Sequence, residues 1–461
     1  MKIGILPLAR PTFDVGFAQE KLLLMLAKLG QTGHQIVGPS ELLFNETATQ
    51  AAIAQLQGSA IDHLLILQVT FTDASMTVAA ANAFDQPLSI WAVPEPRLGE
   101  RLRLNAFCGL NLASHALGLN SQSFSWMYAD PETDIGGEIE ALVTGRRLSG
   151  HLDPVAADEF SSPEGQRVAD EINGRRVARI GEHPVGFDTC AYSPVQLHDL
   201  AGVTVDELDL DDLFDAARSV SDTDARQARG LAEATLDGLQ DVDQVELDRS
   251  LRLKAGLDHI RARGEYDAFA IRCWPETFTE YGGAICGPAS MLGEAKIPCA
   301  CEADVYGALT QLILQEAAAS PVFLTDLVDM DIDDDTGVVW HCGQAPVSMR
   351  DPDVAAMATI HTNRKMPLLY EFPLKAGEVT FLRISQSYNK PKMVLGFGEI
   401  LKRPMAFTGT SGVVRFHRPV SVVLNDIIAS GLEHHMALAY GDHRARLRSV
   451  AAAMNLPLLE I

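Results

Sequence analysis

Two acidic residues, Glu302 and Asp326, stand at the predicted ends of short apolar segments. Glu302 follows the strand-like segment Lys296–Pro298 and precedes a predicted helix, Val305–Glu316, while Asp326 ends a predicted buried strand, Pro321–Asp326. If these strands are parallel neighbours, both carboxylates lie at one edge of a sheet, where α/β proteins present ligands. The competing interpretation is that each residue caps the element that follows it. The spacing alone does not separate the two interpretations.

A pair of histidines, His434 and His435, follows the apolar stretch Val422–Leu432. An imidazole beside a strand can ligate a metal or exchange a proton near neutral pH. Taken alone, a histidine in such a place is more often a satisfied core residue than a ligand. The pair therefore becomes informative only in combination with the two carboxylates.

The elements that must position these residues are those of an α/β protein. In residues 1–160, and again in 161–330, short apolar runs alternate with amphipathic helices, which indicates parallel sheets covered by helices. Asp, Ser, Pro and Gly cluster at 152–164 and mark the first boundary. Residues 331–461 contain short β-rich runs separated by turn residues, which favours an antiparallel barrel or sandwich with a closing helix.

Composition excludes several classes of partner. The 461 residues carry 37 basic and 61 acidic side chains, a formal charge of -24, which argues against nucleic acid or an anionic membrane as a partner. The first residues lack the pattern of a signal peptide, and no apolar run reaches transmembrane length. The seven cysteines include no CxxC pair, so we expect a cytoplasmic protein with reduced thiols. We expect Cys299 and Cys301 to be packing thiols.

The residues around the carboxylates resemble the L-fucose isomerase and L-arabinose isomerase superfamily. The separation of Glu302 and Asp326 by 24 positions, followed by His435, agrees with that family's metal ligands in type, spacing and order. The N-terminal segment Arg10–Asp14 is similar to the short, fucose isomerase-like branch. The remaining resemblance lies in the segments Arg272–Pro275, Cys301–Thr310, Phe323–Asp326, Trp340–Gly343, His434–His435 and Tyr440–Gly441.

The resemblance implies two Rossmann-like three-layer α/β domains followed by a C-terminal antiparallel β-barrel-like domain. It implies a homo-oligomer, a trimer or hexamer, with active sites at subunit interfaces. Glu302, Asp326 and His435 would hold Mn²⁺, with Mg²⁺ or Co²⁺ as substitutes, ions that suit such donors. The expected activity is aldose–ketose isomerisation of an open-chain monosaccharide through a cis-enediol(ate), with the metal as Lewis acid and both carboxylates as general base and acid.

Four further residues are candidates for contact with the substrate. Trp274 and Tyr281 would form an aromatic wall against the sugar, although core packing is the alternative. His341 would touch substrate or metal, and the alternative is a polar residue at a strand end. Arg10 would act in the site of a neighbouring subunit, and the alternative is a surface salt bridge.

Two substrate classes follow from the resemblance, and a neutral sugar such as L-fucose or D-arabinose is the first expectation. The alternative is a sugar with an anionic tail, notably sulfoquinovose, whose sulfonate needs cationic or backbone donors. A hypothesis from another class is a non-catalytic sugar-binding protein, and an epimerase or lyase is a further enzymatic alternative. The cationic residues available for a sulfonate are Arg10, Arg272, Arg364, Lys365 and Lys390.

Overall fold

The structure, a computed structural model, describes residues 1–145 and 152–461. Residues 1–145 build a five-stranded parallel sheet in the order β2-β1-β3-β4-β5. Its strands are β1 (Lys2–Leu8), β2 (Gln35–Val37), β3 (His63–Gln68), β4 (Leu88–Ala92) and β5 (Phe124–Tyr128). The helices of this region are α1 (Val15–Gly30), α2 (Glu46–Gln57), α3 (Ser75–Ala83), α4 (Ala106–Leu119) and α5 (Gly136–Val143). Strands β3, β4 and β5 are buried throughout, which explains their continuous apolar runs.

A second parallel sheet follows, with four strands in the order β7-β6-β8-β9. Strands β8 and β9 pair through Phe269 with Cys299 and Ala270 with Ala300, so the segments that follow them emerge side by side. The strands are β6 (Arg176–Ile180), β7 (Thr204–Leu208), β8 (Ala268–Ile271) and β9 (Cys299–Ala300). The helices are α6 (Pro163–Ile172), α7 (Pro194–Ala201), α8 (Leu210–Arg218), α9 (Asp222–Glu233), α10 (Gln244–Gly264), α11 (Cys286–Glu294) and α12 (Val305–Ala318).

The third sheet is mixed, in the order β12-β13-β16-β11-β10-β17-β14-β15-β18. Because β15 also pairs with β16, the strands β16, β11, β10, β17, β14 and β15 are hydrogen-bonded in a closed ring. The strands are β10 (Phe323–Asp331), β11 (Thr336–His341), β12 (Met357–Thr359), β13 (Leu369–Pro373), β14 (Gly377–Ser385), β15 (Lys392–Ile400), β16 (Thr410–Phe416), β17 (His435–Tyr440) and β18 (Leu458–Glu460). Two helices belong to this region, α13 (Val420–Ala429) and α14 (Arg444–Ala453).

The predicted α/β class is confirmed by the two parallel sheets and the large mixed sheet. The predicted parallel pairing of the Glu302 and Asp326 strands is wrong. Asp326 lies inside β10, which runs on through buried residues to Asp331 and is antiparallel to β11 and β17. A short apolar run fits a parallel or an antiparallel strand equally well, so its pattern did not reveal the partner. Strand β10 lies within the predicted 161–330 region except for its last residue, but its partners are the third-sheet strands β11 and β17.

Helices in the described part of the chain are either too short or too polar to cross a membrane.

Candidate active site

A cavity of ≈ 120 Å³ is lined by residues that lie on or directly after strands of all three sheets, or in the loops beside them. Arg10 comes from the first sheet region, Trp274 and Glu302 from the second, and Asp326 and His341 from the third. The carboxylates therefore reach one cavity from different sheets rather than from neighbouring strands of one sheet.

Glu302 lies at the predicted junction between a strand and a helix, in a single turn between β9 and α12. Its backbone is left-handed, with φ 58°, a conformation that costs a side-chain-bearing residue about 1 kcal/mol or more. Two donors hold its carboxylate. The indole Nε1–H of Trp274 donates to Oε1 at 3.1 Å, and Nε2 of His434 donates to Oε2 at 3.0 Å. The strained turn thus presents a carboxylate whose orientation is fixed on both oxygens.

Asp326 and His435 are directly opposed on the antiparallel strands β10 and β17. Opposed residues of such a pair project from the same face of the sheet, which brings their side chains together. The Nε2 atom of His435 lies 3.4 Å from Oδ1 of Asp326 and 3.9 Å from Oε2 of Glu302. His435 therefore faces both carboxylates predicted to bind the metal, and it belongs to two donor clusters, one with Glu302 and His434 and one with Asp326 and His341.

Asp304, which lies in the segment Cys301–Thr310 and for which the sequence predicts no separate role, orients His435. Its Oδ1 accepts the Gly307 N–H at 2.7 Å and caps helix α12, and its Oδ2 lies 2.9 Å from Nδ1 of His435. A carboxylate can only accept, so Nδ1 carries the hydrogen and Nε2 of a neutral ring presents its lone pair toward Asp326 and Glu302. The spacing Asp304-x-x-Gly307 signals a helix cap, but no local pattern signals the contact with His435.

The two carboxylates have opposite electrostatic environments. Burial raises the pKa of Asp326 to about 6, although the nearby histidines oppose the shift. Burial also acts against ionised Glu302, but its hydrogen bond and charge interaction with His434 outweigh burial and lower its pKa to about 2. Burial lowers the pKa of His435, which keeps its ring neutral. A neutral imidazole and an ionised carboxylate are the protonation states that ligate metals.

The donor set fits a divalent metal ion. Asp326, His341 and His435 each offer one ligand atom, and these three atoms lie within 4.8 Å of one another. Oδ1 of Asp326 is buried and has no hydrogen-bond partner among the described residues, and such an orphaned oxygen is costly unless a cation faces it. Donors about 2.1 Å from one ion lie about 3 to 4 Å apart, as the His435 contacts do. Cys190 also lies nearby, but burial raises the pKa of its thiol, which disfavours a thiolate ligand.

The structure places the four predicted substrate contacts differently. Trp274 and His341 line the cavity, and Nδ1 of His341 accepts the Cys342 N–H at 2.8 Å. Arg10 lines the cavity of its own chain and forms an ion pair with Asp73. Tyr281 is not brought to the cavity. It stacks on Phe214 in the core beside the second sheet, with ring centroids 5.3 Å apart.

The expectation that Cys301 is a reduced packing thiol is wrong, because the structure pairs it with Cys273 in a disulfide. Cys273 follows β8 and Cys301 follows β9, and the pairing of these strands brings the two Cα atoms to 5.8 Å. That separation is ordinary for a disulfide. Cys299 is a buried free thiol, as expected.

Comparisons with known proteins bear on the whole chain. Residues 4–145 match the family model described as fucose/sulfoquinovose isomerase, N-terminal domain. A protein of Alkalicoccus urumqiensis named sulfoquinovose isomerase is 31% identical over 459 residues, which is 99% of this chain and 98% of that protein. A protein of the same name from Priestia aryabhattai is 30% identical over 98% of this chain and 97% of its own. A third, from Clostridium sp. (strain MSTE9), is 29% identical over 99% of this chain and 98% of its own.

Proposed function

We propose that this chain, which belongs to the fucose/sulfoquinovose isomerase family, interconverts sulfoquinovose and its ketose, sulfofructose. The full-length relatives confirm the resemblance found in the sequence and the expected class of activity: the protein is an aldose–ketose isomerase. The names of the relatives support the alternative substrate, the sugar with an anionic tail, over the neutral sugar that was the first expectation. They favour neither a non-catalytic binding protein nor an epimerase or lyase.

The observation that supports this proposal best is that Glu302 and Asp326 line one cavity, while Nε2 of His435 lies 3.9 Å from Oε2 of Glu302 and 3.4 Å from Oδ1 of Asp326. We assign these residues as the ligands of Mn²⁺, with Mg²⁺ or Co²⁺ as substitutes, and His341 as a neighbour of the same site. When bound, the ion would supply Lewis acidity for O1 and O2 of the sugar. Asp304 keeps the coordinating nitrogen of His435 aimed at this point.

The chain's own residues then move the proton. In the direction from aldose to ketose, a carboxylate takes the proton from C2 of the open-chain sugar, and the electron pair of that bond forms the C1–C2 double bond of a cis-enediol(ate). The resulting carboxylic acid returns the proton to C1 as the O2 hydrogen passes to O1. Glu302 and Asp326 are the two candidates for this group, since both lie at the cavity. Trp274 forms part of the wall beside them.

We further propose that the enzyme is a homo-oligomer, a trimer or hexamer, and that its two α/β regions and β-rich region are separate domains, as the resemblance implies. Arg10 lines the cavity of its own chain, and we propose that a neighbouring subunit completes the site at the interface. Light scattering on the purified protein measures the oligomer size, and a monomer at micromolar concentration would contradict the proposal.

A sugar panel tests the function. Purified protein with Mn²⁺ is incubated in D₂O with sulfoquinovose, L-fucose and D-arabinose, and the products are followed by NMR. We expect ketose formation and deuterium at C2 of sulfoquinovose, loss of both in EDTA, and recovery with Mn²⁺. If no aldose gains deuterium or yields a ketose, isomerisation is wrong. If only the neutral sugars react, the substrate assignment is wrong.

A further inference from the structure

Two arginines that line the cavity lie against the ring of Trp274. The guanidinium carbon of Arg364 lies 5.0 Å from the centroid of the Trp274 ring, and that of Arg10 lies 5.8 Å from it. The indole N–H of the same tryptophan bonds to Glu302. One aromatic side chain therefore contacts two cations and the candidate catalytic carboxylate, and all four residues line one cavity.

The two arginines differ in how their charge is neutralised. Arg10 forms an ion pair with Asp73, so its charge is already balanced. Within the described ranges, the Arg364 side chain forms no ion pair: its guanidinium lies against the rings of Trp274 and Phe278, the latter at 5.3 Å, and the carboxylates of Glu302 and Glu276 act on its charge only from a distance. Burial lowers the pKa of Arg364 and Arg10 adds to the shift, yet a guanidinium stays protonated. A partly buried, unpaired cation in a substrate cavity favours an anionic ligand.

A tight turn fixes Arg364 in this place. Nδ1 of His361 accepts the backbone N–H groups of Asn363 and Arg364 at 3.2 and 3.3 Å. The Lys365 N–H donates to the carbonyl of His361 at 2.7 Å, and the His361 ring packs edge-on against Phe278 at 5.4 Å. The backbone at Arg364 is therefore held before the ligand arrives, and the rings of Trp274 and Phe278 position its guanidinium, which reduces the entropy lost on binding.

The other cationic candidates from the sequence are placed elsewhere. Arg272 is occupied by two hydrogen bonds of 2.7 Å to Glu276. Lys365 is exposed, and Lys390 lines a different cavity. Arg364 and Arg10 are thus the members of that set that line the active-site cavity.

We infer that Arg364, assisted by Arg10, forms a subsite that binds the sulfonate group of the substrate and so selects an anionic sugar over a neutral one. This inference rests on the proposed function, in which C1 and C2 lie at the carboxylates and the sulfonated carbon lies at the far end of the sugar. The planar fork of a guanidinium can donate two N–H groups to two sulfonate oxygens. A sugar whose terminal carbon is a methyl group, without the sulfonate, leaves the Arg364 charge unpaired, so the site discriminates against it.

Calorimetric titration of the full chain in EDTA, where no turnover occurs, tests the subsite. The ligands are sulfoquinovose and quinovose, the same sugar without its sulfonate. For Arg364→Gln we expect affinity for sulfoquinovose to fall by on the order of 10- to 100-fold, with quinovose binding unchanged. Arg364→Lys should lose less, and Lys365→Gln, which removes an exposed charge one residue away, should bind as the wild type does.

Three outcomes would overturn the inference: no binding of sulfoquinovose by the wild type, equal losses for Arg364→Gln and Lys365→Gln, or an equal loss of quinovose binding by Arg364→Gln. Circular dichroism of each variant, with Arg364→Lys as the conservative replacement, separates a lost contact from a lost fold. If sulfoquinovose binds through Arg364 but no sugar is isomerised, the proposed function fails while the subsite stands. If the wild type isomerises sulfoquinovose and Arg364→Gln binds it normally, the subsite fails while the function stands.

Discussion

Arg383 and Asp304 form a two-pronged ion pair in the interior, with Nη1 2.6 Å from Oδ2 and Nη2 3.1 Å from Oδ1. Both side chains are 1% exposed. Asp304 in turn contacts Nδ1 of His435. Arg383 therefore fixes the Asp304 carboxylate, and the carboxylate fixes the orientation of the candidate metal ligand. The Arg383 charge also lowers the pKa of Asp304 against the effect of burial, which keeps that carboxylate an acceptor.

Replacing Asp304 with Asn should weaken metal binding or turnover by about 10- to 100-fold, because an amide is a weaker partner for the His435 N–H. Isothermal titration with Mn²⁺ and measurement of kcat would detect the loss. Asp243→Asn is the matched control, since Asp243 caps helix α10 through the backbone N–H groups of Val245 and Glu246. Equal metal affinity in both variants would show that Asp304 acts only as a helix cap.

Replacing Arg383 with Met should lower the free energy of unfolding by about 3 to 5 kcal/mol, because Asp304 and Glu433 lose the cation that faces both. Urea unfolding followed by circular dichroism measures the change. The control is Arg218→Met, which removes an exposed ion pair with Asp215 and should cost less than about 1 kcal/mol. Similar midpoints for the two variants would contradict the prediction.

Replacing Glu302 with Gln, or Asp326 with Asn, should reduce kcat at least about 100-fold, since each change removes a metal ligand and a candidate proton carrier. Ketose formation from sulfoquinovose at saturating Mn²⁺ measures the loss. Asp215→Asn, a change at an exposed helix position, serves as the control. Full activity of Glu302→Gln would disprove the site assignment.

Substitutions at Trp274 and Tyr281, the two aromatic residues predicted to contact the sugar, should differ in their effect on turnover. Trp274→Phe removes a hydrogen bond to the buried Glu302 carboxylate, worth about 1.5 to 3 kcal/mol, and should slow turnover by on the order of tenfold or more. Tyr281→Phe keeps the ring stacked on Phe214, outside the cavity, and should leave kcat and KM near the wild-type values. Steady-state kinetics on sulfoquinovose compares the two variants directly.

His63 should make the fold sensitive to acid. Its ring is buried between β1 and β4 and lies 2.8 Å from Ser89 Oγ, and burial lowers its pKa from 6.5 to about 4. Between these values the unfolded chain takes up a proton that the folded chain does not, so stability is complete above pH 6.5 and falls as the pH drops toward 4. Urea midpoints at pH 7 and pH 5 should differ less in His63→Gln than in the wild type. His198→Gln, at an exposed position, should keep the wild-type difference.

Periodicity and turn residues predicted the α/β class because the residues within each buried strand and amphipathic helix carry its pattern. The resemblance predicted Glu302, Asp326 and His435 by residue type and order, and the structure brings them together. Sequence patterns did not reveal that Asp326 belongs to the mixed sheet, since a short apolar run does not show its pairing direction and one of its partners, His435, lies more than a hundred residues away. For the same reason they did not connect Asp304 to His435, or distinguish Trp274 at the cavity from Tyr281 in the core.

The ring of six strands makes the chemistry depend on alignment. Asp326 and His435 face each other only in the observed register of β10 and β17. A slip of one residue would turn one of the two side chains to the opposite face of the sheet. Any misfolded form with that slip would have no place for the ion, whatever secondary structure it retained. In a refolding experiment, uptake of Mn²⁺ would therefore distinguish molecules with the native strand register from compact misfolded molecules.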